Sequence, residues 1–130
     1  HIVRIGSNGT IKQLIIDSGI DGYGSSVNGG EFLLLSLATC FCNDIYREAK
    51  KKNIKIKNVK VQVTCEFTKE GEPGFTFKYN AKINGNASDE VLNQLIKNTD
   101  KVAEIHNTLR KGVEITLVKD SLKQIVNDTL

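Results

Sequence analysis

The residues of this sequence most able to carry covalent chemistry are its three cysteines, Cys40, Cys42 and Cys65. A cysteine attacks as the thiolate, so its pKa, near 8.5 when free, must be lowered by a cation or a helix N-terminus for efficient reaction at neutral pH. Cys42 lies about 200° around a helix from Cys40, so the two cannot form a disulfide within a regular helix. Free cysteines are also common as small buried hydrophobes. Cys42 and Cys65 fit that packing role best, whereas Cys40 could be either a nucleophile or a packed thiol.

Charged residues close to Cys40 along the chain bear on its acidity. Asp44 follows four residues later on the same helical face and has the wrong sign to stabilise a thiolate. Arg47 lies two turns along that face and has the right sign. Arg4 or Arg110 could also supply a cation through the fold.

Two further titratable residues are candidates for the same site. His106 could approach Cys40, donate a hydrogen bond to its thiolate or act as a base, and it could equally be a capping or surface histidine. Glu31 could pair with Arg4 or Arg110, or it could only favour the N-terminus of the helix that it opens.

A long helix, predicted from about Glu31 to Asn53, must carry the first two cysteines. Ten of the eleven residues of Phe32–Cys42 are Phe, Leu, Ala, Thr or Cys, and a helix apolar on nearly every face is a core helix. Eleven residues are too few to cross a bilayer, so we expect a central helix of a soluble domain without membrane contact. The preceding glycine-rich loop, residues 17–30, lacks the ending of a phosphate-binding P-loop; it is expected to be a plain flexible loop, with a lid over Cys40 as the alternative.

The other elements follow from alternation and turn signals. Period-two patterns predict two antiparallel hairpins, and the chain then continues through a helix, a break and a last strand. These elements are strands 2–5 and 11–16, strands 57–68 and 75–83, a helix capped by Ser88 with a stripe at Val91, Leu92, Leu95, Ile96 and Val102, a break near Glu104–Thr108, a strand over Val113–Val118, and a tail from Ser121 to Leu130 that could be helical or frayed. Strands grouped in hairpins predict an α+β fold with an antiparallel sheet.

Length, charge and cysteine count narrow the class of protein. A chain of 130 residues fits one domain, here residues 1–130. The net charge of +3 is too small to indicate nucleic-acid binding, and the basic run between Arg47 and Lys60 has no interleaved aromatic residues. An odd, low number of cysteines indicates a reducing compartment, so we expect a cytoplasmic protein; we predict no metal site and no cofactor.

Three segments resemble the OsmC/Ohr family of thiol-dependent peroxidases. They are EFLL at residues 31–34, LATC at residues 37–40 and NTLRKGVE at residues 107–114, and the likeness runs from about Gly24 to Leu117. The resemblance implies an OsmC-like α+β domain in an intertwined homodimer, with the two long helices near the centre and the sites at the subunit interface. It also implies that Cys40 reduces organic hydroperoxides in an antioxidant stress response, with Glu31 partnering an arginine from the preceding loop.

The sequence departs from the family pattern at two places. The resolving cysteine of the family corresponds to Ala103, and residues 17–30 contain no arginine. If Cys40 is the nucleophile, an external thiol must then resolve it. The alternative is a non-enzymatic protein of the same fold that binds a hydrophobic or coenzyme A-type small molecule at the dimer interface.

Overall fold

The computed structural model describes residues 1–117, which form two hairpins and three helices. The elements are β1 (Ile2–Ser7), β2 (Thr10–Ile15), α1 (Gly29–Lys51), β3 (Ile56–Glu66), β4 (Phe75–Gly85), α2 (Asp89–Lys101) and α3 (Glu104–Lys111). Both strand pairs are antiparallel, so the predicted α+β class is confirmed. No helix among the described residues is long and apolar enough to cross a membrane.

The core lies between α1 and one face of the β3–β4 sheet. Phe41, Ile45 and Ala49 of α1 are fully buried, and Leu95 of α2 joins them. The sheet contributes the alternating residues that the sequence predicts to face inward, Val59, Val61, Tyr79, Ala81 and Ile83. The predicted stripe on α2 is narrower than expected, because Leu92 and Leu95 are buried while Val91 and Val102 are each 44% exposed.

The first hairpin is well formed, and its main contacts are internal. Its two-residue turn, Asn8-Gly9, has φ values of 48° and 75°, which suit the tight turns that join twisted antiparallel strands. β1 and β2 pair from Ile2↔Ile15 to Ser7↔Thr10, and nearly all their side chains are exposed. The apolar side chains of this hairpin are therefore uncovered in the single chain.

The segment after α2 corrects two sequence expectations. The predicted break at Glu104–Thr108 is the helix α3, which Gly112 ends with a left-handed φ of 64°. Residues 113–117 form no strand, so the predicted strand Val113–Val118 is wrong over that span. Val118 and the tail 121–130 lie outside the described residues. Local patterns failed here because α3 has only eight residues and no capping side chain.

Candidate active site

Cys40 lies in the middle of α1 and contacts a carboxylate on its own helix. Its Sγ donates a hydrogen bond to Oδ2 of Asp44 over 3.4 Å, as residues four apart on one helical face can. Asp44 is only 4% exposed, so its charge acts where solvent screens it little. The neighbouring Phe41 is fully buried and fixes the orientation of this face of the helix.

The N-terminus of α3 provides a second contact to the same sulfur. A hydrogen bond from the backbone N–H of Ile105, the second residue of α3, lowers the pKa of Cys40. Ala103, the N-cap of α3, makes no side-chain capping bond. The sulfur of Cys40 therefore meets an N–H group that a capping side chain often satisfies, at a helix end that favours negative charge.

The opposing influences leave Cys40 mainly protonated at neutral pH. Burial raises its pKa most, the Ile105 N–H lowers it, and the hydrogen bond and charge of Asp44 raise it again. The carboxylate of Glu104 adds a weaker effect in the same direction. Burial also raises the pKa of Cys42. The site thus has one feature that favours a thiolate and several that oppose it.

Arg47 is the cation of this cluster, and carboxylates occupy its donors. Its Nη1 lies 3.0 Å from Asp44 Oδ1 and 2.9 Å from Glu104 Oε1, so it joins α1 to the first turn of α3. Its Nε donates to Glu48 Oε1 over 2.9 Å. The guanidinium of Arg47 is therefore directed to the acids around Cys40 rather than to the thiol.

Glu31 performs one of the roles considered for it, at the start of α1. The Glu31 backbone N–H donates to Asn28 Oδ1 over 2.9 Å, and the Asn28 N–H donates to Glu31 Oε2 over 2.8 Å. This reciprocal capping box satisfies two amides at the helix N-terminus. Within residues 1–117, Glu31 takes part in no ion pair with Arg4 or Arg110.

His106 lies in α3 and is 5% exposed, so it is neither in a break nor on the surface. Its ring centroid is 5.4 Å from that of Phe41 and 4.5 Å from that of Tyr79. Neither ring nitrogen has a hydrogen-bond partner among the described residues, so Cys40 is not its partner here. Burial and the charge of Arg110 lower its pKa, which keeps the imidazole neutral at pH 7.

Comparisons with known proteins identify the family of this chain. The family model described as OsmC-like protein matches residues 22–118. The chain belongs to the OsmC-like family. A solved structure, the OsmC-like protein from Mycoplasma pneumoniae, is 20% identical with a TM-score of 0.61, over 85% of this chain and 80% of that one. That likeness shows the shared OsmC-like fold. None of the curated proteins matches the sequence significantly.

This OsmC-like protein also brings possible metal donors together. The ligand atoms of Cys40, Asp44 and Glu104 lie within 4.8 Å of one another. A thiolate and two carboxylates can coordinate a divalent cation. Arg47 is already paired with both carboxylates, so a metal ion would have to displace its guanidinium. The prediction of no metal site stays a prediction.

Three residues of the OsmC-like site were not identified as candidates from the sequence: Glu104, Tyr79 and Asp100. Glu104 reaches the cluster because α3 begins beside α1, and nothing in its local pattern indicates that contact. On the other side of His106, Tyr79 donates a hydrogen bond to Asp100, and Arg110 Nη2 lies 2.6 Å from Asp100 Oδ1. Burial and the Asp100 contact raise the pKa of Tyr79 to about 12. These contacts join β4, α2 and α3, so only the tertiary fold reveals them.

Proposed function

We propose that this OsmC-like protein reduces organic hydroperoxides with Cys40 as the nucleophile, and that an external thiol regenerates the cysteine. The observation that carries the proposal is that the N-terminus of α3 lies beside Cys40, where the backbone N–H of Ile105 lowers the pKa of the thiol. A thiolate at that position accepts a hydrogen bond and gains from the helix dipole. Membership of the OsmC-like family supports the same general chemistry.

The reaction divides into two steps that balance. The Cys40 thiolate attacks the terminal oxygen of the hydroperoxide, an S–O bond forms as the O–O bond breaks, and the alkoxide takes a proton to leave as an alcohol. The sulfenic acid then condenses with an external thiol, releasing water and forming a mixed disulfide. A second external thiol breaks that disulfide, which returns the Cys40 thiol and leaves the reductant as its own disulfide.

External resolution is favoured because the chain lacks the resolving cysteine of the family. All three cysteines are free in the structure. Ala103 stands where the family keeps its resolving cysteine, and it is fully buried. Cys42 points about 200° away around the same helix. We therefore propose a small thiol or a protein dithiol as the reductant.

Burial and the acidic cluster together set the pH dependence that this proposal requires. Because burial, Asp44 and Glu104 raise the pKa of Cys40, the thiolate is a minor species at pH 7. The rate of peroxide reduction should therefore rise steadily as the pH increases from 7 toward 9. An enzyme of this kind suits slow removal of peroxides in an antioxidant role.

We also propose that the working form is a homodimer. The exposed apolar side chains of the first hairpin, such as Ile11, Ile15 and Leu14, have no cover within the described part of the chain. Leu35 of α1 is likewise 56% exposed. A second copy that covered the hairpin and this part of α1 would bury these side chains. Three free thiols further suit a reducing compartment such as the cytoplasm.

The test is consumption of cumene hydroperoxide with dithiothreitol, glutathione or a thioredoxin system as reductant. The proposal expects turnover with at least one reductant, loss of turnover in Cys40→Ser and near-normal turnover in the matched control Cys65→Ser. A wild-type rate no higher than that of Cys40→Ser with every reductant would contradict it.

A second candidate is a non-enzymatic binding protein for a hydrophobic or coenzyme A-type molecule at the dimer interface. The raised pKa of Cys40 and the engagement of Arg47 by carboxylates favour it. It would be supported by the absence of turnover in a folded dimer that binds such a molecule.

A further inference from the structure

The first oxidation of Cys40 leaves a sulfenic acid that has to wait for an external thiol. Ala103 occupies the position of the family's resolving cysteine, and Cys42 points about 200° away around α1. Cys40 is only partly buried, so a second hydroperoxide molecule has the same access to the sulfur as the first.

The reaction that competes with the external thiol is a second oxidation. The sulfenate sulfur attacks the terminal oxygen of another hydroperoxide, an S–O bond forms as the O–O bond breaks, and the alkoxide takes a proton to leave as an alcohol. The product is a sulfinic acid, which ordinary thiols do not reduce. The lifetime of the sulfenic acid therefore decides how often the protein turns over before it is inactivated.

Asp44 is placed to act on this intermediate. Its Oδ2 lies 3.4 Å from the Cys40 sulfur and accepts the S–H, and the residue is only 4% exposed. An O–H···O hydrogen bond of about 2.7 Å, reached through one bent S–O bond, spans nearly the same distance between sulfur and carboxylate. The S–O–H group of a sulfenic acid therefore fits as a donor to Asp44 with little movement of either side chain.

The rest of the acidic cluster holds that carboxylate in place and adds to its charge. Arg47 Nη1 lies 3.0 Å from the other oxygen of Asp44, Oδ1, and 2.9 Å from Glu104 Oε1, so Oδ2 stays directed at the sulfur. The ligand atoms of Cys40, Asp44 and Glu104 lie within 4.8 Å of one another. Both carboxylates disfavour a negative charge on the Cys40 side chain, whereas the N–H of Ile105 has the opposite effect.

We propose that Asp44, assisted by Glu104, protects the sulfenic acid of Cys40 from a second oxidation. Asp44 accepts the hydrogen bond of the S–O–H group and its charge opposes loss of that proton, so the sulfur keeps a neutral, poorly nucleophilic form. Condensation with an external thiol still proceeds, because in that step the sulfur is attacked rather than attacking. The proposal rests on the proposed peroxide reduction, and it gives a use to an acid that slows the first oxidation.

The test measures the second oxidation by itself. Reduced protein receives one equivalent of cumene hydroperoxide, and a sample quenched with dimedone establishes whether Cys40 is a sulfenic acid. An excess of hydroperoxide follows without any thiol, and peptide mass spectrometry measures the conversion to sulfinic acid with time. Asp44→Asn should increase the rate constant of this conversion by at least about fivefold at pH 7, because an amide does not oppose loss of the sulfenic proton. The rate should also reach its plateau at a lower pH in Asp44→Asn than in the wild type.

Three further variants make the test specific. Glu104→Gln should give a smaller acceleration, and because Glu104 is exposed it provides the readout if Asp44→Asn does not fold. Arg47→Gln should slow the second oxidation, since the two acids then lack their cation. The matched control is Glu70→Gln, which removes a carboxylate from the exposed turn between β3 and β4 and should leave the rate constant unchanged.

Two results would overturn the proposal, and they differ in what they say about the proposed function. If the dimedone adduct forms on Cys40 but Asp44→Asn and Glu104→Gln convert at the wild-type rate, the acids do not protect the intermediate, while the proposed function stands. If the folded wild-type protein forms no dimedone adduct on Cys40, the proposed function fails and this proposal fails with it.

Discussion

Replacing Asp44 by Asn should make Cys40 react faster. The carboxylate accepts the Cys40 hydrogen bond at 3.4 Å, and both that bond and its charge raise the pKa of the thiol. The substitution keeps the shape of the side chain and removes the negative charge. It also removes one of the three carboxylates paired with Arg47. The positive charge of the guanidinium is then opposed only by Glu104 and Glu48.

The size of the effect follows from Coulomb's law. Two unit charges about 3.4 Å apart interact by about 1 kcal/mol in a water-like medium and by several times that value nearer the protein interior. Cys40 is partly exposed but Asp44 is buried, so the smaller value is a lower bound for the effect. About 1 kcal/mol corresponds to a roughly fivefold larger thiolate population at neutral pH, so alkylation by iodoacetamide should accelerate by about five- to tenfold.

The assay is the rate of Cys40 alkylation at pH 7, followed by peptide mass spectrometry with Cys65 as an internal reference. Glu104→Gln should give a smaller acceleration, because the charge of Glu104 has the weaker effect on Cys40. Arg47→Gln should slow alkylation by leaving both acids uncompensated. An Asp44→Asn variant that is folded and alkylates no faster than the wild type would refute this electrostatic account.

Three further predictions concern stability and assembly. His106→Phe should flatten the pH dependence of the free energy of unfolding between pH 7.5 and 5. The pKa of His106 is lowered in the folded state, so below about pH 6.5 the unfolded wild-type chain binds a proton that the folded state does not. The stability of the wild-type protein therefore falls by up to about 1.4 kcal/mol per pH unit as the pH decreases. Urea titrations that give parallel profiles for the two proteins would refute this. Glu31→Ala should cost about 1 kcal/mol in urea unfolding by removing half of the capping box, whereas Glu31→Gln should stay close to the wild type, and equal losses would contradict the capping role. Light scattering at micromolar concentration should find a dimer that deletion of residues 1–16 weakens, and a stable wild-type monomer would rule out the proposed assembly.

The elements that the sequence predicts well are those whose burial pattern is regular and long. β3 and β4 have eleven residues each, and α1 has 23 residues. The pattern of apolar residues over such lengths identifies each element without knowledge of its tertiary contacts. α3 was not predicted because eight residues are too few to show a clear helical periodicity of apolar side chains. Its N-cap is Ala103, which gives none of the usual start signals.

The candidate site is predictable only where it lies within one helix. The contact between Cys40 and Asp44 follows from their spacing on α1. The approach of the Ile105 N–H and of Glu104 depends on how α3 packs against α1, which no local pattern indicates. The sequence names His106 as a candidate near Cys40, but its burial beside the rings of Phe41 and Tyr79 depends on the same packing.

The most direct test of the central claim is a single turnover of the reduced protein with one equivalent of cumene hydroperoxide in the presence of dimedone. The account predicts one dimedone adduct per chain, located on Cys40, formed faster at pH 8.5 than at pH 7 and absent in Cys40→Ser. A folded wild-type protein in which Cys40 remains an unmodified thiol while peroxide persists would contradict the claim that Cys40 is the nucleophile.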